Sequence, residues 1–228
     1  SLAPACVAPH FRRMDMPGTS PAWSLRDHGP LIVIAALCIG VEAALQLADL
    51  GLFGGARIRQ TAYEYGAFWP GLLDGWSPNY AVQPWTMFLT YAFLHGGLVH
   101  IAFNMITLGS LGRAVIDRLG PWRFVLLYFA TSVAGAGVYA FLSQGGAPMV
   151  GASGALFGLA GALIAWLWED QPDLRAALRL AGRLVLLLVA INVALYVALQ
   201  GRLAWETHLG GFLAGWVLGI ALEPGGWR

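Results

Sequence analysis

An all-α, polytopic membrane fold is what this sequence predicts, and three observations predict it. Of its 228 residues, 58% are hydrophobic and only 11% are charged, against about a quarter charged in a soluble domain. Six segments are apolar enough, and nearly long enough, to match the roughly 20 residues that cross about 30 Å of hydrocarbon. Backbone facing lipid must satisfy its own hydrogen bonds, so each such segment is a helix. The same composition excludes other classes. There is too little polar surface to cover a water-soluble globule, and the 30 glycines follow no three-residue period. A net charge of +1 offers no footprint for nucleic acid. Cys6 and Cys38, one in a polar tail and one in an apolar run, make no disulfide framework.

The elements follow in order. Residues 1–30 hold Pro4, Pro9, Pro17, Pro21 and Pro30 with no apolar run, and read as a flexible cytoplasmic tail rather than a cleavable signal peptide. The expected spans are 31–50, 86–111, 122–143, 153–168, 180–200 and 206–222, joined by turn formers such as Gly120-Pro121, Gly145-Gly146 and Gln171-Pro172-Asp173. Together they define a membrane domain over 31–222, followed by a short C-terminal tail over 223–228. The first outer loop, 51–85, carries Tyr63, Tyr65, Phe68, Trp69, Trp76, Tyr80 and Trp85. Such rings concentrate at the headgroup level, so the loop is expected to lie in the interface, as an aromatic belt or as a structured flank. With the N-terminus inside, ten arginines fall on inner segments and three, Arg57, Arg59 and Arg202, on outer ones. That asymmetry predicts cytoplasmic termini, with a bacterial inner membrane as the expected location.

Polar side chains at membrane depth are costly and mark candidate sites. Here they are Glu42, His95, His100, Asn104, Ser153, Asn192 and His208. Ser153 follows a Gly/Pro loop and opens an apolar helix to Trp168. Serine is a favoured N-cap, so helix capping is one reading. Yet 16 residues give only about 24 Å of helix, short of the hydrocarbon thickness. The helix therefore starts below the outer surface, lining a cavity, with its unpaired backbone N–H groups beside the hydroxyl. A serine needs a neighbouring base, and His208 is the candidate. Gly211, Gly215 and Gly219 follow on its helical face, and Gly154, Gly158 and Gly161 answer from the fourth helix. Small residues at that spacing let membrane helices meet backbone to backbone. His100 and Asn104, four residues apart, share a face and carry N–H donors suited to a developing oxyanion. Three intramembrane histidines without a completing carboxylate or thiolate argue against a metal site, and no cofactor is expected.

These residues resemble the rhomboid family of intramembrane serine proteases. The order His100-x-x-x-Asn104, Gly151-Ala152-Ser153-Gly154 and His208-x-x-Gly211-x-x-x-Gly215 is the family's pattern, on the second, fourth and sixth helices, over about residues 31–222. The resemblance implies a six-helix bundle with a water-filled site opening outward, gated by the fifth helix and its preceding loop region. It implies Ser153 as nucleophile, His208 as general base without a carboxylate, and an oxyanion hole from His100, Asn104 and the Ser153 N–H. Gly151, Gly154, Gly158, Gly211 and Gly215 are then packing residues around the site. The implied partners are membrane lipids and single-pass transmembrane substrates, not nucleic acid; oligomeric state is left open.

Three positions depart from the family pattern. Trp85 is followed by Thr86 where Arg is usual, Ile116 with Asp117 stands where an acidic residue is common, and Phe157 replaces a tyrosine that stacks on the base. Two other readings remain: a non-catalytic relative that escorts transmembrane clients, and a channel lined by Glu42, Gln46 and Asn192.

Overall fold

The computed structural model describes residues 25–55, 57–143 and 146–223. Most of the expected N-terminal tail, Gly145 and nearly all of the C-terminal tail lie outside them. Among the described residues the fold is all-helical apart from one antiparallel bridge, Phe68 with Met149. The long helices are α1 (Leu25–Asp49), α4 (Leu98–Leu119), α5 (Pro121–Leu142), α6 (Ser153–Glu169), α7 (Leu174–Ala198) and α8 (Trp205–Leu222). Between α1 and α4 lie α2 (Arg57–Gly66) and α3 (Gln83–Thr90). Helices α1, α4, α5 and α7 are each long and apolar enough to cross a membrane, and α6 is a shorter apolar helix of 17 residues. The chain is thus a polytopic membrane protein.

Two boundaries differ from expectation. Helix α1 starts at Leu25 and continues through Pro30, where the proline had marked the end of the tail. The span expected over 86–111 is two helices. After α3 the chain makes a tight turn at Tyr91–Phe93, and Gly97 takes φ +109 before α4 begins at Leu98. His95 therefore precedes α4 instead of lying on it. The stretch is as apolar as the helices it joins, so hydropathy does not register the break. Within α4, Leu108–Gly112 winds as a π-helix.

Helix α6 is apolar all round, the pattern of a fully buried helix, and its buried side includes Leu156, Leu159, Ala162, Ala165 and Trp166. Lipid supplies no hydrophobic force between helices, so small residues and close packing must hold them. A Cβ on Gly211 would strike the carbonyl of Gly154, one on Gly215 the backbone of Gly158, and one on Gly219 would strike Ala162. Helices α6 and α8 are thus in backbone contact over three turns. Trp166 Nε1 closes the far end by donating to the Gly219 carbonyl at 3.1 Å. There Arg118 bridges Asp170 and Glu223, gathering the C-terminal ends of α4, α6 and α8. Helix α7 lies at the periphery and buries only Ala177 and Ala181.

The segment between α1 and α4 is a structured flank. Phe68 exchanges both backbone hydrogen bonds with Met149 at 3.0 Å, tying it to the loop ahead of α6, while its buried ring meets Phe88, Tyr91 and Tyr139 edge-on. Tyr65, Trp76 and Trp85 stay exposed, as rings at the headgroup level would. Where the family's arginine is absent, Thr86 Oγ1 pairs with the Tyr80 hydroxyl at 2.7 Å, and Gln83 donates to the Glu64 carbonyl at 2.6 Å. Ile116 is buried in the core, and Asp117 lies 3.8 Å from His28.

Glu42, 1% exposed, is held by Arg59 through two bonds of 2.9 and 3.1 Å. Arg59 also donates to Asp49 at 2.6 Å and, with Tyr63, to the His95 carbonyl. Burial acts to lower the guanidinium's pKa, but the bonds to Glu42, Asp49 and Tyr63 outweigh it and hold the group above its ordinary value. One side chain therefore joins α1, α2 and the connector that delivers His100. Arg59→Met leaves Glu42 buried with only Gln46 as a partner, at 2.8 Å. Stripping a buried charge of its partner costs about 3–5 kcal/mol; with Gln46 retained, a loss of about 2–3 kcal/mol is expected, measured as resistance to denaturation in detergent.

Candidate active site

Ser153 is the first residue of α6. Ala152 occupies the cap position, and no side chain caps the helix, so the hydroxyl is not spent on capping. It lies 2.8 Å from His208 Nε2. The glycine contacts explain the meeting: they lock α6 and α8 in register from Gly154 and Gly211 onward, which brings the first turns of both helices together. His208 is 6% exposed. Phe157, one turn along α6, stacks on its ring at 4.2 Å between centroids and 8° between planes. The phenyl ring therefore packs where a tyrosine is usual, without its hydroxyl.

Beside this pair stands His100, in the first turn of α4. The Gly96 N–H donates to its Nδ1 at 3.1 Å. A backbone N–H can only donate, so Nδ1 is unprotonated and the neutral ring carries its hydrogen on Nε2. Gly151 adopts φ +126, and a Cβ there would fall 2.9 Å from His100 Nε2 and 3.9 Å from Ser153 Oγ. Glycine is thus required twice, for its backbone and for the space it leaves between the two groups. Gly151, expected to support the site, lies between His100 and Ser153. Its N–H donates to the Tyr91 carbonyl at 3.0 Å, which fixes the loop. The Ser153 N–H borders the same region, in the first turn of α6 where no intrahelical acceptor exists.

Asn104 is 5% exposed and donates from Nδ2 to the His100 carbonyl at 2.9 Å. One of its amide hydrogens is therefore committed to its own helix, and its Oδ1 has no hydrogen-bond partner among the described residues. His95 is buried with its ring edge-on to His100 at 5.2 Å. Among the described residues, no three His, Cys, Asp or Glu side chains group as metal ligands would.

One candidate at membrane depth has a partner that the sequence did not identify. Asn192 Oδ1, on α7, lies 2.6 Å from His208 Nδ1. Its polarity at membrane depth was visible in the sequence. The identity of the partner was not legible, because nothing in the spacing of α7 says which side faces α8.

Comparison with known proteins identifies the family. The Rhomboid domain family matches residues 82–224, well over half of the chain. The chain is 36% identical over 115 residues to Rhomboid protease GluP of Bacillus subtilis, covering 50% of this chain and 21% of that protein. It is 37% identical over 134 residues to RHOMBOID-like protein 5 of Arabidopsis thaliana, covering 57% and 41%. It is also 33% identical over 79 residues to Inactive RHOMBOID-like protein 8 of the same plant, covering 35% and 22%. The chain thus matches less than half the length of each of these relatives. A family match of that extent, over a helical membrane bundle that brings the three motifs together, places the chain in the rhomboid family.

Proposed function

We propose that this chain is an intramembrane serine endopeptidase that hydrolyses single-pass transmembrane proteins within or near their membrane segment. The observation that carries the reading is the 2.8 Å contact between Ser153 Oγ and His208 Nε2, at the first turn of a short helix. Ser153 Oγ attacks the scissile carbonyl carbon while its proton passes to His208 Nε2. The carbonyl oxygen becomes an oxyanion beside Gly151, between Ser153 and His100 Nε2–H, and takes its stabilisation from His100, from Asn104 on the same helix and from the Ser153 N–H. Imidazolium then returns the proton to the departing amine, leaving an acyl-enzyme. Water, deprotonated by the same histidine, releases the acid and restores Ser153.

Donors fixed in advance where charge develops are the largest catalytic term in such reactions, and here the backbone of Gly96 fixes the His100 tautomer. Removing one such donor costs about 10²–10³-fold in kcat. Gly151→Ala puts a methyl into the gap and is expected to cost at least as much, measured as reporter cleavage per folded molecule.

In this reading all six long helices cross the membrane as one domain, about residues 31–222, with both termini at the cytoplasmic face of a bacterial inner membrane. The Arg118 cluster then sits at the inner face. Helix α7, with only Ala177 and Ala181 buried, is the movable side by which substrate enters. The dyad itself separates this reading from that of an inactive relative. A fluorophosphonate probe tests it without knowledge of the substrate: labelling of the detergent-solubilised wild type, absent in Ser153→Ala, is expected. A folded wild type that resists the probe and cleaves no transmembrane reporter would return the chain to the client-binding class.

A further inference from the structure

Asn192 reaches the site from the helix with the least claim on the core. From residue 189 to 200 every position of α7 and its end is exposed except Asn192. Its side chain makes two contacts. Nδ2 lies 2.9 Å from the Leu188 carbonyl, one turn back on the same helix, and Oδ1 lies 2.6 Å from His208 Nδ1. A carbonyl can only accept, so the first contact fixes which end of the amide is nitrogen. The oxygen must then face the imidazole. An amide oxygen can only accept as well, so Nδ1 of the neutral His208 ring carries the hydrogen. Nε2 is left with its lone pair toward Ser153 Oγ, 2.8 Å away. That is the tautomer a general base requires.

We infer that Asn192 is a positioning residue that sets the tautomer and ring plane of His208, the place a carboxylate holds in Ser-His-Asp enzymes. Phe157 holds one face of the ring and Asn192 its edge, so both rotation and protonation are determined. When His208 takes the proton of Ser153, the same Nδ1–H bond to a carbonyl-type acceptor strengthens and spreads the new charge. Amide replaces carboxylate at low cost, because a neutral acceptor in the membrane avoids a buried charge. The bond also joins the outer half of α7 to the base, so an α7 that swings aside leaves His208 without its orienter.

The inference rests on the protease reading, and the experiment separates the two. Reconstituted full chain is assayed on a transmembrane reporter, and the imidazole nitrogens of His208 are observed by ¹⁵N NMR. Asn192→Leu is expected to lower kcat on the order of 10- to 100-fold, part of the 10²–10⁴-fold that a positioned base supplies, with KM little changed. Asn192→Asp, which still offers an acceptor, restores most of kcat. The wild-type spectrum shows Nδ1 protonated and Nε2 bare; Asn192→Leu mixes the tautomers. A protonated Nε2 in the resting wild type overturns the inference without recourse to any variant, and so does an Asn192→Leu enzyme with wild-type kcat. If the wild type neither cleaves nor takes the probe, the protease reading falls, and the wild-type spectrum still decides the tautomer.

Discussion

Cleavage of a transmembrane reporter falls on the order of 10⁴-fold or more in Ser153→Ala, and by a comparable factor in His208→Ala. The two losses are expected to be non-additive. In the proposed mechanism the pair, 2.8 Å apart, acts as one unit: without the imidazole the hydroxyl keeps its proton, and without the hydroxyl the base has nothing to activate. The double variant is therefore no slower than either single one. In the proposed mechanism, what residual rate survives comes from His100, Asn104 and the Ser153 N–H stabilising the oxyanion formed when water attacks the carbonyl directly. Both substitutions shrink a side chain and leave the glycine contacts between α6 and α8 intact, so each protein should insert and resist denaturation as the wild type does. Single-turnover cleavage in proteoliposomes measures the effect. A Ser153→Ala enzyme that keeps a tenth of the wild-type rate removes Ser153 from the chemistry, and multiplicative losses in the double variant show two independent roles instead of a dyad.

The meeting of Ser153 and His208 was legible in the sequence because two signals agree. Ser153 and His208 are polar groups in apolar helices, and glycines at four-residue spacing follow both. The register those glycines impose is the register found, Gly154 on Gly211 and Gly158 on Gly215. Helix identity was legible for the same reason: the apolar runs have no alternative inside lipid. What stayed hidden are features that hydropathy averages away. Tyr91, Ala92, Phe93 and Leu94 are apolar whether helical or not, so the break before α4 left no trace except Gly96-Gly97. The close approach of Gly151 to His100 was hidden because nothing in a sequence says what a loop glycine faces. Glu42 read as a candidate for lining a channel; its partner, Arg59, sits on a helix inside what looked like loop. Asn192 marks the limit most clearly, since a single polar residue on an apolar helix announces a partner but not which one.

Gly215→Val is expected to separate the two central helices and take stability and activity together. The new Cβ lands on the backbone of Gly158, and backbone cannot rotate away as a side-chain tip can. Nor can α6 retreat, because a Cβ at Gly158 would meet Thr131 of α5 on its other side, so the helix is held between two neighbours at near-minimum distance. Ordinary overpacking costs about 1–3 kcal/mol; with no free direction of relief, the cost here is on the order of 5 kcal/mol. Any relief that does occur moves α8 outward and carries His208 off Ser153. Gly137→Ala is the control: nothing lies within 4 Å of its added Cβ, and Ala for Gly in a helix favours the fold by up to about 1 kcal/mol. Unfolding in graded SDS, with probe labelling of Ser153 in the same samples, reads both consequences. Gly215→Val protein that unfolds at the wild-type midpoint and still takes the probe would mean that α6 and α8 do not touch through their backbones, and the register that brings serine to histidine would need another cause.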